Sequence, residues 1–206
     1  MRDVVILFGG DSVENEISAK SAERILKNID QSKFCASLLN IKDLKIKLIK
    51  EDTVVFIAVH GLGGEDGETQ KLLEDNGIKF TGSGEDSAKL CWDKISSKAL
   101  MKKNKIPTPP YKIIRKNKKP DIKNEFFSSR DNFFVKPNSN GSSFGVSKVT
   151  SFKQLDQAIK EARKFSEDVI IEEAYNTAEY TVGILKGEAL EPLEIIANDN
   201  KGFYDY

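Results

Sequence analysis

Lys136 stands inside the apolar run Phe133-Phe-Val-Lys-Pro137, where an ammonium group needs a reason to be. Burying that charge without a partner costs several kcal/mol or shifts its pKa, and a phosphate is a good partner. The run leads into a loop of small, polar and glycine residues, 139–145, and then into a second apolar run, 146–149. Strand, loop and strand with several exposed backbone N–H groups are one way to hold a triphosphate. This is not a Walker loop, since no Gly-Lys-Ser/Thr follows and no helix is entered. A plain hairpin connection is the alternative, although the loop is longer than a tight hairpin uses.

Four other places carry groups that could do chemistry. Glu14 follows Gly9-Gly10-Asp11-Ser12-Val13, where a strand meets a helix start. It is either a first-turn carboxylate favoured by the helix dipole or a carboxylate that grips a substrate ammonium. His60, the sole histidine, closes the apolar run 54–59 just before Gly61-Leu-Gly-Gly-Glu-Asp-Gly67, so a site role and a structural role are both open. Glu65 and Asp66 read as partners of that loop's own backbone rather than as metal ligands. Lys94, inside a helical pattern, would by itself be a surface lysine. Val169-Ile-Ile-Glu-Glu173 ends in acids, and Ala174, Tyr175 and Glu179 follow before a new strand. Such a crossover can offer backbone groups to an adenine edge and a carboxylate to ribose hydroxyls; taken alone, a charged strand end and a solvated loop explain it as well.

The elements that must position these groups fall into two sets. Residues 4–8 look like a buried parallel strand, followed by a helix that begins at 11–14 with Asp11 or Ser12 as its cap. Ile17, Ala22, Ile25, Leu26 and Ile29 supply its apolar stripe, and strands follow at 34–41 and 54–59. This rhythm predicts a doubly wound α/β unit over residues 1–85. A long helix over 86–105, stopped by Ile106-Pro-Thr-Pro-Pro110, links it to a second unit. There, strands at 111–114, 133–136, 146–149, 169–173 and 180–185 and a helix at 152–165 predict an α+β domain over 111–186. Residues 116–130 read as a polar, mobile surface insertion, and 188–196 begin another strand within a third segment, 187–206.

Composition excludes several classes. Thirty-two basic residues balance thirty-two acidic ones, which gives no field for nucleic acid or a membrane surface. The two cysteines, Cys35 and Cys91, have no partner spacing, so neither a disulfide framework nor a zinc site is expected and a reducing compartment is. The N-terminal apolar run is too short for a signal sequence or a membrane span. A cytoplasmic protein is the expectation.

In order and spacing, these pieces together resemble the D-alanine–D-alanine ligases of the ATP-grasp superfamily. The matching segments are Leu7-Phe-Gly-Gly-Asp-Ser-Val-Glu-Asn-Glu-Ile-Ser18, Val59-His-Gly-Leu-Gly-Gly-Glu-Asp-Gly67, Phe80-Thr-Gly-Ser-Gly84, Trp92-Asp-Lys94, Phe134-Val-Lys-Pro137, Gly141-Ser-Ser-Phe-Gly-Val-Ser-Lys-Val149 and Phe203-Tyr-Asp-Tyr206. The resemblance implies ATP-dependent joining of two D-alanines through an acyl phosphate, for peptidoglycan precursors and hence the cell wall. It implies an ATP-grasp central domain in which Lys94, Lys136, Ser142 and Ser143 meet the phosphates. Glu172 and the backbone near Ala174 and Tyr175 would meet the adenine, and Glu179 the ribose. Glu14 would bind the first D-alanine's amino group, with Ser142 bridging toward it, and His60 would lie near the carboxylate. D-alanine–D-lactate or D-serine ligases share these motifs, and a non-catalytic nucleotide-binding remnant would also retain them.

Two departures qualify the resemblance. Ala174 stands where the family often has a large apolar residue, which predicts weaker nucleotide binding. The family also continues for about another hundred residues, roughly one further domain. The chain is therefore expected to be a truncated or split ligase, inactive alone, with its magnesium ligands in the missing part and an exposed apolar patch where that part would sit. A homodimer through the N-terminal domain and a separate C-terminal fragment are the partners that follow.

Overall fold

The first apolar run forms β1, Arg2–Phe8, in a computed structural model that describes residues 1–121, 125–130, 132–175 and 177–196. The chain divides into two units, Met1–Ile106 and Pro107–Tyr206. In the first, β1 is followed by α1 (Asn15–Asn28), β2 (Phe34–Asn40), β3 (Val54–Ile57), α2 (Glu68–Asp75), β4 (Lys79–Phe80), α3 (Glu85–Trp92) and α4 (Lys94–Lys103). Strand order is β2-β1-β3-β4, all parallel, with Val4 opposite both Ala36 and Val54.

Alternation along β1 explains the layers, because successive side chains of a strand point to opposite faces. Val4 and Ile6 pack with Ala22, Ile25, Leu26 and Ile29 of the α1 segment, while Leu7 and Val5 join Val55, Val59 and Leu73 of α2. Ile17, expected in the α1 stripe, lies outside that cluster. No sequence pattern announces α2 or β4, whose strand is only two residues long. The single helix expected over 86–105 is two helices, α3 and α4. The chain instead leaves the helical region at Asp93, with φ −87° and ψ 102°, and the Asp93 side chain caps α4 by accepting from the Ser96 N–H at 2.7 Å. Both cysteines are free and exposed. No helix among the described residues is long and apolar enough to cross a membrane.

In the second unit come β5 (Tyr111–Ile114), α5 (Glu125–Ser128), β6 (Phe133–Pro137), β7 (Ser147–Val149), α6 (Phe152–Ala162) and β8 (Val169–Glu173), then short strands β9 (Glu179–Thr181), β10 (Ile184–Leu185), β11 (Glu188–Ala189) and β12 (Leu193–Ile195). An antiparallel sheet ordered β5-β8-β6-β7 carries α6 on one face. Leu155, Ala158, Ile159 and Ala162 meet Phe133, Val135, Val149, Val169 and Ile171 there.

The polar stretch 116–130 is not a plain surface insertion. It contains α5, whose Phe126 and Phe127 are buried in this core. Arg163 donates to the Arg115 and Lys118 carbonyls at 2.9 and 2.7 Å, which fixes the start of the stretch. The strand expected at 180–185 is two strands, parted at Val182-Gly183: β9 pairs with β12, and β10 with β11 across a turn in which Lys186 and Gly187 both have positive φ. Ile184, Leu185, Leu193 and Ile196 are exposed in this region. The segment Phe203–Tyr206 lies outside the described residues.

Candidate functional site

In the first unit, the strands' carboxyl ends gather the expected groups through a chain of hydrogen bonds. Ser18 is fully buried; its Oγ accepts from the Gly9 N–H at 2.8 Å and donates to the Ala58 carbonyl at 2.7 Å. This ties α1 to the ends of β1 and β3. Ser12 Oγ donates to the His60 carbonyl at 2.8 Å and accepts from the Glu14 N–H at 3.2 Å. The expected cap is thereby corrected: α1 begins at Asn15 with Glu14 as its N-cap residue, and Asp11 instead pairs with Lys42 at 2.5 Å.

Glu14 is buried and its carboxylate is turned inward against Gly61, where a Cβ would come within 2.9 Å of Oε2. Gly61 has φ +71°, so glycine satisfies both the backbone and the close approach. His60 lies between Ser21 Oγ, 3.3 Å from Nε2, and Glu65 Oε1, 3.7 Å from Nδ1. The structure thus brings Glu14 and His60 together and adds Ser12, Ser21 and Glu65. Ser18 and Ser21 follow Glu14 at i+4 and i+7, the spacing of one helix face, and that was the available signal. Asp66 accepts from the Gly63 and Glu68 N–H groups, at 2.8 and 3.1 Å, and so serves the loop's own backbone as expected.

Burial pushes the Glu65 carboxyl above its ordinary value; the Glu14 charge adds to this, and His60 opposes it. A raised folded-state value means that the folded protein holds this proton more firmly than the unfolded chain does. The contribution to stability is therefore fully present below the ordinary glutamate value and is lost as pH rises through the raised one. Glu65→Gln removes that loss, so its thermal midpoint should gain on the wild type as pH rises above the ordinary glutamate value. A difference that does not change with pH contradicts the assignment. Two carboxylates, an imidazole and a helix N-terminus in one place suit a zwitterion, with its ammonium against the acids and its carboxylate against the other two.

Lys94 is the first residue of α4, not an interior one. A cation at that positive helix end is disfavoured unless an anion shares the place.

In the second unit, the sheet face turned away from α6 carries the other groups. Phe134 stands opposite Glu172 on β8 and opposite Lys148 on β7, and Glu172 opposite Tyr111 on β5. Lys136, two residues beyond Phe134, shares this face, and its ammonium forms an ion pair with the buried Glu172 carboxylate. The reason for a lysine inside an apolar strand is therefore, in part, this carboxylate on the neighbouring strand. The loop between β6 and β7 contains Ser142 and Ser143, with φ 48° and 59°. Each non-glycine residue there costs about 1–2 kcal/mol, and such strain is concentrated at ligand clamps. Gly145 lets the loop lie on Phe165, whose ring would be 2.6 Å from a Cβ at that position. Next to this face, Arg130 binds Glu173 at 2.8 Å, and the exposed Tyr175 donates to the same carboxylate at 3.1 Å. Ala174 is half-buried after β8, and Glu179, exposed, opens β9. Sequence reasoning passed over Phe134 and Lys148, which only the strand register places beside Lys136.

Comparison with known proteins gives one consistent set of relatives. The family model for the D-ala D-ala ligase C-terminus matches residues 100–206. D-alanine–D-alanine ligases of Methylacidiphilum infernorum and Glaesserella parasuis are each 36% identical; the alignments cover 100% and 98% of this chain and 65% and 67% of theirs. Among solved structures, D-alanyl-alanine synthetase A of Vibrio cholerae superposes with a TM-score of 0.84 at 28% identity, covering 98% of this chain and 70% of that one. The Bacillus anthracis D-alanine–D-alanine ligase complexed with ATP gives 0.83 at 28% identity, covering 95% and 67%. The chain spans about two thirds of the length of the curated relatives it matches.

Proposed function

This chain belongs to the D-alanine–D-alanine ligase family, and on that premise we propose that it supplies the ATP-binding and first-amino-acid-binding parts of a ligase that makes D-alanyl-D-alanine for peptidoglycan. The observation that carries the reading is the sheet face where Lys136, Phe134 and Glu172 lie together beside a loop strained at Ser142 and Ser143. In this reading Lys136, Lys94, Ser142 and Ser143 hold the phosphates, Glu172 with the backbone at Ala174 and Tyr175 holds the adenine, and Glu179 holds the ribose. Glu14 takes the ammonium of the first D-alanine and His60 faces its carboxylate.

The reaction then follows from positioning and charge neutralisation. A carboxylate oxygen of the first D-alanine attacks the γ-phosphorus of ATP and ADP leaves. The amine of the second D-alanine attacks the acyl phosphate carbonyl, releasing phosphate and a proton. Lysine ammoniums and the loop N–H groups neutralise charge that gathers on the transferred group. Among the described residues, no group of three or more His, Cys, Asp and Glu side chains is arranged to hold a metal ion. The same reading makes residues 1–85 the doubly wound substrate domain, 86–110 the link and 111–186 the ATP-grasp domain. It also places the protein in the cytoplasm, paired through its first domain.

Titrating the isotope-labelled chain with D-alanine and L-alanine tests the substrate half. Amide signals of residues 12–14 and 60–65 should move with D-alanine and stay with L-alanine. Equal responses, or none, would count against the amino-acid site.

A further inference from the structure

We propose that Lys148 is a further phosphate-binding residue of the nucleotide site, acting beside Lys136. The proposal rests on the nucleotide reading above and extends it to a residue that the reading does not use. Pairing of Phe134 with Lys148 on one side and with Glu172 on the other puts all three on one sheet face. Phe133, Val135 and Val149 take the opposite face into the core with α6. Lys136 and Lys148 both approach the Phe134 ring, with their Nζ atoms 5.3 and 6.0 Å from its centroid.

Charge on this face is unbalanced. Glu172 pairs with Lys136, and among the described residues no carboxylate lies within ion-pair distance of Lys148. Two half-buried ammoniums thus share one ring and one acid, leaving an excess positive charge for an anion to neutralise. Position adds a second argument: β7 begins at Ser147, directly after the loop that holds Ser142, Ser143 and Gly145 at positive φ. A polyphosphate under that loop would find Lys148 at its foot and Lys136 across the same ring.

The competing explanation is that β7 is an edge strand, and lysine on an edge discourages unwanted strand pairing. The two readings differ in what they predict for binding. Lys148→Met in the full chain should weaken ADP binding about tenfold, as expected for the loss of one charge-assisted hydrogen bond. Adenosine, which lacks phosphate, should bind as it does to wild type, and Lys148→Arg should restore most of the ADP affinity. Thermal midpoints of all variants establish that each is folded. Unchanged ADP binding by folded Lys148→Met, or an equal loss for adenosine, overturns the proposal and leaves the edge-strand explanation. If the wild-type chain takes up no ADP, the nucleotide reading itself fails and this proposal with it. If wild type binds and Lys148→Met binds equally, only the Lys148 assignment fails.

Discussion

Phe127→Ala is expected to destabilise the second unit by about 3–5 kcal/mol, the cost of deleting a buried aromatic side chain where neighbours cannot collapse. Phe127 is 2% exposed and meets three other rings: Phe126 at 5.1 Å, Phe133 at 5.5 Å and Phe152 at 6.2 Å between centroids. Those rings are fixed by different elements: Phe126 lies on the short helix α5, Phe133 on β6 and Phe152 at the start of α6. No single shift of one element can refill the cavity. Because the chain has two units, denaturant unfolding should be followed with probes in each. The transition of the second unit should move to lower denaturant, whereas that of the first should stay. A loss below about 1 kcal/mol, the scale of an ordinary surface change, would mean that α5 is not docked.

Lys136→Met has the largest expected effect on binding. Removing a charge-assisted contact to phosphate should weaken ATP by about 10- to 100-fold. The substitution also has a cost in stability, because it leaves the Glu172 carboxylate, 5% exposed, without the ammonium it pairs with. Breaking a buried pair on one side costs about 3–5 kcal/mol, so weak binding by this variant could reflect damage to the sheet. The double variant Lys136→Met/Glu172→Gln, set against Glu172→Gln alone, separates the two effects from the adenine contact assigned to Glu172. It removes the carboxylate charge together with the ammonium and should recover much of the lost stability, while ATP affinity stays about 10- to 100-fold below that of Glu172→Gln. Recovery of affinity along with stability would show that Lys136 serves the sheet and not the nucleotide.

What could be read in the sequence follows the range of the forces involved. β1 and β3 announce themselves as apolar runs, and α1 by its stripe of Ala22, Ile25, Leu26 and Ile29, because local period decides both. Phe126 and Phe127 were hidden in a stretch of lysine, serine and arginine, since their burial depends on Phe133 and Phe152, residues that only tertiary packing brings near. Asp93 falls within a helical pattern, and only the backbone shows that it ends one helix and caps the next.

The candidate site divides in the same way. Glu14 and His60 were legible because loops at the carboxyl ends of parallel strands are where ligands bind. The approach of Glu65 to His60 depends on the path of the glycine loop between them. The Lys136–Glu172 pair joins two strands 36 residues apart, and Lys148 enters through cross-strand register. Register is a property of the sheet, and no short motif states it.

Calorimetric titration of the wild-type chain with ATP, with Lys136→Met/Glu172→Gln as its matched control, decides whether this sheet face holds the nucleotide. Saturable binding of one ATP per chain is expected, with a loss of about 10- to 100-fold in the control. Absence of binding by the folded wild-type chain, or equal affinity in the control, would contradict it.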